Sequence, residues 1–261
     1  SFTILEASAQ NLVAHYPLNG NANDLINALN GTIQGAPTSI SDRFSNPNSA
    51  MLFDGLDDCI SVAGSPVNTT TNMSVAFWMY TSSNSVSAEP VLLGVDDCIG
   101  GPSLNGYSVY AGGSTSFSAF PGNGLTIAVS SVQFLGSGAT LSPIGTWDFI
   151  VAQNNGGVFE LHKNGLLVMS GSASMQGAPN AIRIGSGTNC RFFPGAIDDV
   201  QIYDAPLSPA QIAALYNLQA PLLLDFTHFE ASACSNQTCL TWQTQMETNE
   251  SHYIAERSLN G

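Results

Sequence analysis

Two adjacent carboxylates, Asp198 and Asp199, lie inside the strand-like run GAIDDVQIY, and an oxygen-rich loop, NGNANDLINALNG, lies near the start of the chain. Carboxylate and amide oxygens are the ligands that hard divalent cations prefer in proteins. With 19 acidic and 5 basic residues, the net charge is −14, which fits cation binding or plain solubility. This charge disfavours nucleic acids and anionic membrane surfaces as partners. No apolar run is long enough to predict membrane insertion.

The elements that must position these side chains are short strands. Most apolar runs alternate with polar residues and close on Gly, Asn, Asp or Pro, which indicates many strands joined by tight turns. MSVAFWMY carries bulky side chains on both faces, and this predicts a central strand of a two-layer structure. Asn164-Gly165 predicts a tight hairpin. The predicted strands cover residues 51–53, 58–62, 73–80, 91–95, 106–111, 147–153, 158–163, 166–170, 181–185 and 196–203.

One helix is predicted soon after the acidic strand. The segment LSPAQ is a capping box, with Ser208 as N-cap, Pro209 at the first helical position and Gln211 reaching back. The apolar residues that follow fall at helical spacing on one face. The pattern predicts a short helix laid on the side of a β domain.

Six segments of the chain occur in an order that is specific to one family. They are the Asn/Asp/Gly-rich segment 16–33, the Phe-Asp-Gly strand 51–62, the Trp strand 73–80, the Gly-x-Trp strand with its Asn-Gly hairpin 145–168, AIRIGS at 181–186, and the paired-acid strand with its Leu-Ser helix 195–216. Together they resemble the laminin G-like, concanavalin A-like jelly-roll domains of secreted bacterial proteins, over roughly residues 11–218. The resemblance implies an all-β fold in which two antiparallel sheets pack face to face as a jelly-roll sandwich, with one short C-terminal helix.

The resemblance also implies calcium, because the paired-acid strand of this family often shares a calcium ion with the N-terminal segment. Successive strand residues face opposite sides of a sheet, so only one of the two adjacent acids should reach the ion, and Asp199 is favoured together with Asp24. Alternatively, the asparagines and glycines only form turns and one aspartate caps the sheet edge. The implied ligand set is Asp24, Asn19, Asn27, Asn30, Asp198 and Asp199.

A second group of polar side chains lies near strand ends in the middle of the chain. The doublets Asp57-Asp58 and Asp96-Asp97 are candidates for a second cation site or for a ligand-binding edge, and solvated loop acids are the alternative. Trp78 and Trp147 lie in alternating strands, which favours core packing over sugar stacking. The predicted ligand-binding edge comprises Asp96, Asp97, Tyr107, Tyr110, Asn189 and Arg191.

The five cysteines favour disulfides over a metal site. Cys234 and Cys239 bracket a turn-like insert, and Cys98 and Cys190 both lie in Gly/Asn/Asp-rich loops, so two pairs are predicted. Cys59 lies inside a strand pattern and is predicted to be a buried thiol. Zinc is disfavoured because there is no CxxC pair with a matching cluster. Disulfides indicate an oxidising environment, extracellular or at the cell surface.

The texture of the chain changes at residues 219–221, which divides it into a jelly-roll domain, 1–219, and a partial second module, 220–261. The tail LTWQTQMETNESHYIAERSLNG resembles the opening half of the fibronectin-like module of type IX secretion cargo in Bacteroidetes. Strands are predicted at 222–230, 238–244 and 252–257. Three strands cannot bury both faces of a sandwich alone, so more chain follows, or the strands pack on the first domain or a partner.

Catalytic patterns are weak in this sequence. Retaining glucanases of related architecture carry a Glu-x-Asp-x-x-Glu strand, whereas the glutamates here are scattered and Glu160 stands alone. The sequence therefore predicts a non-enzymatic binding or adhesion domain for a glycan or a cell-surface protein. One alternative is a structural subunit of a surface fibre or sheath, a homo-oligomer that polymerises through residues 221–261 by strand addition. The other is a degenerate polysaccharide-active enzyme or an accessory domain of one.

Overall fold

The computed structural model describes residues 12–82, 88–95, 105–111, 124–130, 133–187, 191–217, 225–234 and 237–245. Its elements are β1 (Leu12–Tyr16), β2 (Thr32–Gln34), β3 (Thr38–Ile40), β4 (Ala50–Asp54), β5 (Cys59–Ala63), β6 (Asn72–Thr81), β7 (Ala88–Val95), β8 (Asn105–Ala111), β9 (Gly124–Val129), β10 (Gln133–Thr140), β11 (Trp147–Asn155), β12 (Val158–Lys163), β13 (Leu166–Ser172), β14 (Ala181–Ile184), β15 (Pro194–Tyr203), α1 (Pro209–Asn217), β16 (Asp225–Cys234) and β17 (Gln237–Gln245). No described helix is long and apolar enough to span a membrane.

The strands of the first unit form two antiparallel sheets. The eight-stranded sheet has the order β13-β12-β11-β6-β15-β4-β3, and β1 also pairs with β15. The seven-stranded sheet has the order β10-β9-β8-β7-β14-β5-β2. The predicted all-β sandwich of two antiparallel sheets with one short helix is confirmed.

The main core lies between the two sheets, and β6 shows why. Its residues Val75, Phe77 and Met79 point into the core between the sheets, whereas Trp78 packs on the opposite, outer face. β6 lies between β11 and β15, as its two bulky faces predicted. Burial of both faces of a central strand removes a large apolar area from water, and this burial is the main stabilising term of such a fold.

Helix α1 covers part of the outer face of the eight-stranded sheet. The predicted capping box is confirmed, since the Gln211 backbone N–H donates to Ser208 Oγ over 3.3 Å and the Ser208 N–H donates to Gln211 Oε1 over 2.8 Å. Ile212 and Leu215 are buried against the sheet, in a cluster that also holds Trp78 and Phe149. The helix therefore buries an apolar patch that the sandwich alone would leave in water.

The Asn164-Gly165 hairpin is confirmed between β12 and β13. Both residues have positive φ angles, 52° and 81°, as a two-residue turn of this type requires. The ring of Tyr216 lies close to Gly165, where a Cβ would stand 3.4 Å from it. The hairpin turn and the end of the helix therefore contact each other.

Five strands were not predicted: β1, β2, β3, β9 and β10. The strands β2 and β3 are three residues long and exposed along most of their length, so they carry no apolar alternation. The strand β1 pairs with β15 across a register shift between Leu12 and Ala14. Cys59, in β5, is a free and buried cysteine as predicted, and its Sγ lies 3.1 Å from Gln34 Oε1.

The chain divides into two compact units, Ser1–Tyr216 and Asn217–Gly261, near the predicted boundary at 219. In the second unit, β16 and β17 form a two-stranded antiparallel sheet. Its register places Cys234 opposite Gln237 and Cys239 opposite Ser232, so both cysteines lie on one hairpin and their disulfide stays a prediction. The predicted strand 252–257 lies outside the described residues.

Candidate functional site

A β-bulge lies at the acid pair of β15. The register with β6 shifts between Asp198 and Gln201, and Asp199 adopts a φ of 50°, in the left-handed region. A bulge of this kind places two residues opposite one and re-aims their side chains. The bulge also lies at a junction, because β4 pairs with the first half of β15 and β1 with its second half.

The bulge brings both carboxylates onto Arg43, a residue that the sequence analysis missed. Arg43 Nη1 lies 2.6 Å from Asp198 Oδ2 and 2.9 Å from Asp199 Oδ2. His15 Nε2 lies 3.2 Å from Asp199 Oδ1. The expectation that only one of the two acids could reach a shared cation is therefore wrong, because it assumed an unbroken strand.

The guanidinium of Arg43 lies over two aromatic rings. Its central carbon lies 4.2 Å from the centroid of the Phe44 ring and 4.5 Å from that of Trp78. Only 11% of the Arg43 side chain is exposed, so solvent screens its charge weakly. Arg43 Nε is buried and has no hydrogen-bond partner among the described residues, and attraction to the ring faces offsets part of that cost.

The two carboxyl groups of the pair differ in their affinity for protons. Burial and the neighbouring Asp199 charge raise the pKa of Asp198 to about 8, against the lowering effect of Arg43. Burial also acts to raise the pKa of Asp199, but hydrogen bonds and charge from His15 and Arg43 bring it below its usual range. Asp199 therefore keeps its negative charge, and Asp198 is the carboxyl that takes up a proton first.

The N-terminal loop lies next to this cluster, as predicted, and the carboxylate of Asp24 already accepts hydrogen bonds from it. Asp24 Oδ1 accepts the backbone N–H groups of His15 and Ile26, and Asp24 Oδ2 accepts those of Asn27 and Leu29, all at 2.9–3.1 Å. Burial would raise the pKa of Asp24, but these four bonds bring it below its ordinary value. Asp24 is therefore the anchor of the loop.

The predicted calcium ligands do not fit a metal site in this arrangement. The Oδ1 atom of Asn30 accepts the Asp24 N–H at 2.9 Å, and the side-chain amide of Asn27 donates to Val13. The backbone carbonyl of Asn19 accepts the side chain of Asn21. Asp198 and Asp199 face Arg43, whose positive charge repels a cation. In this arrangement Asp24 and these asparagines shape a loop and both acids face Arg43, so the calcium-ligand assignment from the sequence stays a prediction.

The doublet Asp57-Asp58 belongs to a different acidic group. Carboxylate oxygens of Asp54, Asp57 and Asp58 lie within 4.8 Å of one another. Asp58 accepts the N–H of Ala36 at 2.6 Å and that of Asp54 at 3.0 Å, and Asp54 accepts the N–H of Leu56 at 2.8 Å. These bonds fix the turn between β4 and β5.

The predicted ligand-binding edge is not a single site. Tyr107 is buried in the core, 5.5 Å from the ring of Phe159, and its hydroxyl donates to the Ala152 carbonyl at 2.9 Å, so its assignment to a ligand edge is wrong. Arg191 lies over the Tyr110 ring at 5.3 Å, which keeps these two together. In the pairing of β7 with β8, Ala111, the neighbour of Tyr110, lies opposite Ala88, whereas Val95 lies opposite Asn105. Tyr110 and the Val95 end of β7 are therefore at opposite ends of this strand pair. Asp96, Asp97, Cys98, Asn189 and Cys190 lie outside the described residues.

An uncovered row of side chains crosses the outer face of the eight-stranded sheet. The row holds one residue from each of five neighbouring strands, and each residue lies opposite the next one in the antiparallel register. It is half-buried at Trp147 and Tyr80, buried at Ala196 and exposed at Thr38. We call it the outer row; in order it consists of Trp147, Tyr80, Ala196, Leu52 and Thr38.

Two features mark the ends of the outer row. At one end, the rings of Tyr80 and Trp147 lie 5.5 Å apart at 52°. At the other end, a small cavity of about 250 Å³ is lined by Thr38 and Leu52 of the row and by Ser82, Asp54 and other residues. Arg43, Phe44 and Trp78 border the row on one side. The sequence predicted core packing for both tryptophans: Trp78 is buried in the outer-face cluster, and Trp147 is half-buried and packs against that cluster.

The sheet order, the antiparallel register and the helix on the outer face define a concanavalin A-like β-sandwich. The chain belongs to the concanavalin A-like lectin/glucanase superfamily, since the Laminin_G_3 family model matches residues 54–213. A search of the curated proteins finds no match.

Several solved structures share this fold. Domain 4 of AbnA, a GH43 extracellular arabinanase from Geobacillus stearothermophilus solved in complex with arabinotriose, has a TM-score of 0.63 and 19% identity; the match covers 79% of this chain and 98% of that one. The binding domain of Paraclostridial Mosquitocidal Protein 1 has a TM-score of 0.58 and 16% identity over 79% and 52% of the two chains. The binding domain of botulinum neurotoxin DC in complex with SialylT has a TM-score of 0.54 and 13% identity over 79% and 51%. At these identities the likeness shows the fold alone.

Proposed function

We propose that the first unit is a non-enzymatic carbohydrate-binding domain that works outside the cell, and that its ligand lies along the outer row. The observation that carries the proposal is the half-buried Tyr80–Trp147 pair on a sheet face that α1 covers only in part. Aromatic rings offer a broad apolar face with a polar edge, which suits the C–H face and the hydroxyl groups of a sugar ring.

The shape of the row supports an extended ligand. The row crosses five strands, and at ~4.8 Å per strand it spans roughly 19 Å. Ala196 in the middle keeps the surface shallow, and the mainly apolar cavity at the far end offers the Thr38 and Ser82 hydroxyl groups as orienting contacts. A short linear oligosaccharide fits this combination of an aromatic platform and a small cavity with hydroxyl groups at its rim.

The charges around the row favour a neutral glycan over an anionic one. Arg43 is engaged by the acid pair, and Lys163 contacts Thr140 and Asp148. Arg183 contacts Gln34, and Arg191 lies over Tyr110, both on the other sheet. The acidic group Asp54, Asp57 and Asp58 lies at one end of the row and repels carboxylates and sulfates.

Two further observations support a binding role. Domain 4 of the arabinanase was solved with arabinotriose, and a toxin binding domain of this fold was solved with SialylT. Glycosidases need two carboxyl groups that face the bond to be cleaved, roughly 5–10 Å apart, with one of them as the acid.

The Glu160 carboxylate instead faces polar neighbours: it accepts a hydrogen bond from Gln153 at 2.7 Å and lies 3.6 Å from His162. These contacts support a binding role over an enzymatic one.

The experiment is a glycan array probed with the labelled chain, followed by calorimetric titration of the best neutral oligosaccharide. We expect binding to neutral glycans in preference to sialylated or uronate-containing ones. Trp147→Ala and Tyr80→Ala should each weaken binding at least tenfold, since aromatic anchors dominate such contacts.

The control variant is Leu166→Ala, which removes an exposed apolar side chain outside the outer row. It should bind as the wild-type chain does. If no glycan binds, or if Trp147→Ala binds as well as Leu166→Ala does, the proposal fails. Capture of a surface protein in place of a glycan, lost on the same substitutions, would keep the site but change the ligand class.

A second candidate is a structural subunit, favoured by the two-stranded sheet of β16 and β17. Each of these strands has one edge unpaired among the described residues, and an unpaired edge can add a strand from another chain. Light scattering of the full chain and of a chain ending at residue 216 tests this. An oligomer that the truncation abolishes supports the structural role, and a monomeric full chain contradicts it.

A further inference from the structure

The positive charge at the acid pair comes from the protein itself. Both carboxylates reach the same nitrogen, Arg43 Nη1, at 2.6 and 2.9 Å, because the bulge turns Asp199 to the side of Asp198. His15 adds a contact at 3.2 Å on the remaining side of Asp199. Asp199 keeps its negative charge beside the buried Asp198, and the guanidinium is the cation that faces both side chains.

Arg43 is held in place independently of the acids. The guanidinium lies over the rings of both Phe44 and Trp78, and the exposure of the Arg43 side chain is 11%. Arg43 lies in the loop between β3 and β4, next to Asp42, which accepts the N–H groups of Phe44 and Asn46 at 2.8 and 2.9 Å. The loop is therefore fixed by its own turn, and the cation it carries is preorganised.

Two of the other expected metal ligands, Asp24 and Asn30, already accept hydrogen bonds. Asp24 has both oxygens filled by four backbone N–H groups, and the Oδ1 atom of Asn30 is filled by the Asp24 N–H. A calcium ion needs six to eight free oxygen ligands. Binding it here would require the loss of several of these hydrogen bonds and the displacement of Arg43.

We propose that Arg43 takes the place of a divalent cation between β15 and the N-terminal loop, so that this domain folds and stays stable without calcium. Removal of the guanidinium would leave Asp198 and Asp199 facing the same space and would turn the position into a divalent-cation site. This inference does not depend on the glycan proposal.

The test is thermal unfolding of the full chain in saturating calcium and in chelator. The wild-type chain should melt at the same temperature in both. Arg43→Met, which keeps the length and apolar contacts of the side chain, should melt about 10 °C lower in chelator, because the buried Asp198 and the partly exposed Asp199 lose their partner. Calcium should restore several degrees in this variant. Arg43→Lys should lie between the two and not respond to calcium.

Arg183→Met is the matched control, since it removes an arginine of the seven-stranded sheet and should respond to neither condition. Terbium luminescence sensitised by Trp78, 4.5 Å from the guanidinium, should appear in Arg43→Met and not in the wild-type chain. A wild-type melting temperature that rises with calcium overturns the inference even if the variant fails to fold. Glycan binding that persists in chelator is expected, and its loss there would overturn this inference while leaving the glycan proposal intact.

Discussion

Trp78 and Trp147 lie on the same face of the same sheet and differ in how far they are buried. Trp78 is 9% exposed, and it is stacked on Tyr216 at 5.9 Å and covered by Arg43 at 4.5 Å. Trp147 is half-buried and contacts Tyr80 at the edge of the covered region. Both are flanked by apolar residues in alternating strands. The difference comes from α1 and the β3–β4 loop, which cover the first tryptophan, whereas the second packs only against the margin of the same cluster.

The alternation along a strand decides which face of the sheet a side chain takes. Whether that face is buried or exposed is decided by a further element, such as a helix or a loop, that packs on it. On a two-layer sandwich, the inner faces are buried by each other, but each outer face depends on what else the chain lays over it. An aromatic residue left uncovered at the margin of such a cover is available to a ligand.

The sharpest test of the comparison is the pair Trp78→Ala and Trp147→Ala. Loss of the Trp78 ring from a filled cluster should lower the free energy of unfolding by about 3–5 kcal/mol. Loss of the half-buried Trp147 ring should lower it by about 1 kcal/mol. Chemical denaturation of both variants measures this, and equal losses would mean that both rings belong to one core.

Leu215→Ala, on the buried face of α1, should loosen the packing of the helix on the sheet. We expect a loss of about 2–3 kcal/mol, because a cavity forms against the sheet. Tryptophan fluorescence should shift to longer wavelength as Trp78 meets water. Ala214→Gln, at an exposed position of the same helix, should change neither quantity. An unchanged spectrum in Leu215→Ala would show that α1 does not protect Trp78.

The raised pKa of Asp198 predicts that the free energy of unfolding depends on pH. Its folded-state pKa of about 8 lies above the ordinary value near 4, so its stabilising contribution is present below pH 4 and lost as the pH rises through 8. Asp198→Asn cannot ionise and should melt higher than the wild-type chain above pH 8, with a difference that shrinks towards acid pH. Asp57→Asn, in an exposed turn, serves as the control. A difference that does not vary with pH contradicts the assignment.

The smallest expected effect concerns the N-terminus of α1. Ser208→Ala removes the N-cap of α1 and should cost about 1 kcal/mol. Since the cap lies away from the outer row, neutral glycan binding should be unchanged. Denaturation and titration of the same preparation measure both, and a loss of binding would mean that the helix helps to shape the row.

Much of the fold could be predicted from local patterns. The two faces of β6, the Asn-Gly hairpin and the capping box each depend on a few neighbouring residues, and the structure confirms all three. Most of the strands that were missed are short or lie at sheet edges. Little of their surface is buried there, so their sequences show no alternation of apolar and polar residues. The strand β9 is buried on both faces and lies between stretches rich in Gly and Ser, which hid it.

The candidate site could be predicted only in part. The nearness of the acid pair to the N-terminal loop was correct, because β1 pairs with β15. The role of Arg43 could not be predicted, since it comes from a loop 155 residues away along the chain and depends on a bulge at Asp199. One available signal was the scarcity of cations: with only 5 in the chain, a paired acid on a buried strand needed one of them.

By itself the sequence determined a two-sheet antiparallel sandwich with a capped helix, because side-chain alternation and turn residues act over a few positions. Only the tertiary structure decided which tryptophan is covered and that a guanidinium faces Asp198 and Asp199. Both outcomes depend on contacts between segments far apart in the chain, and the packing of those segments is set by the whole fold.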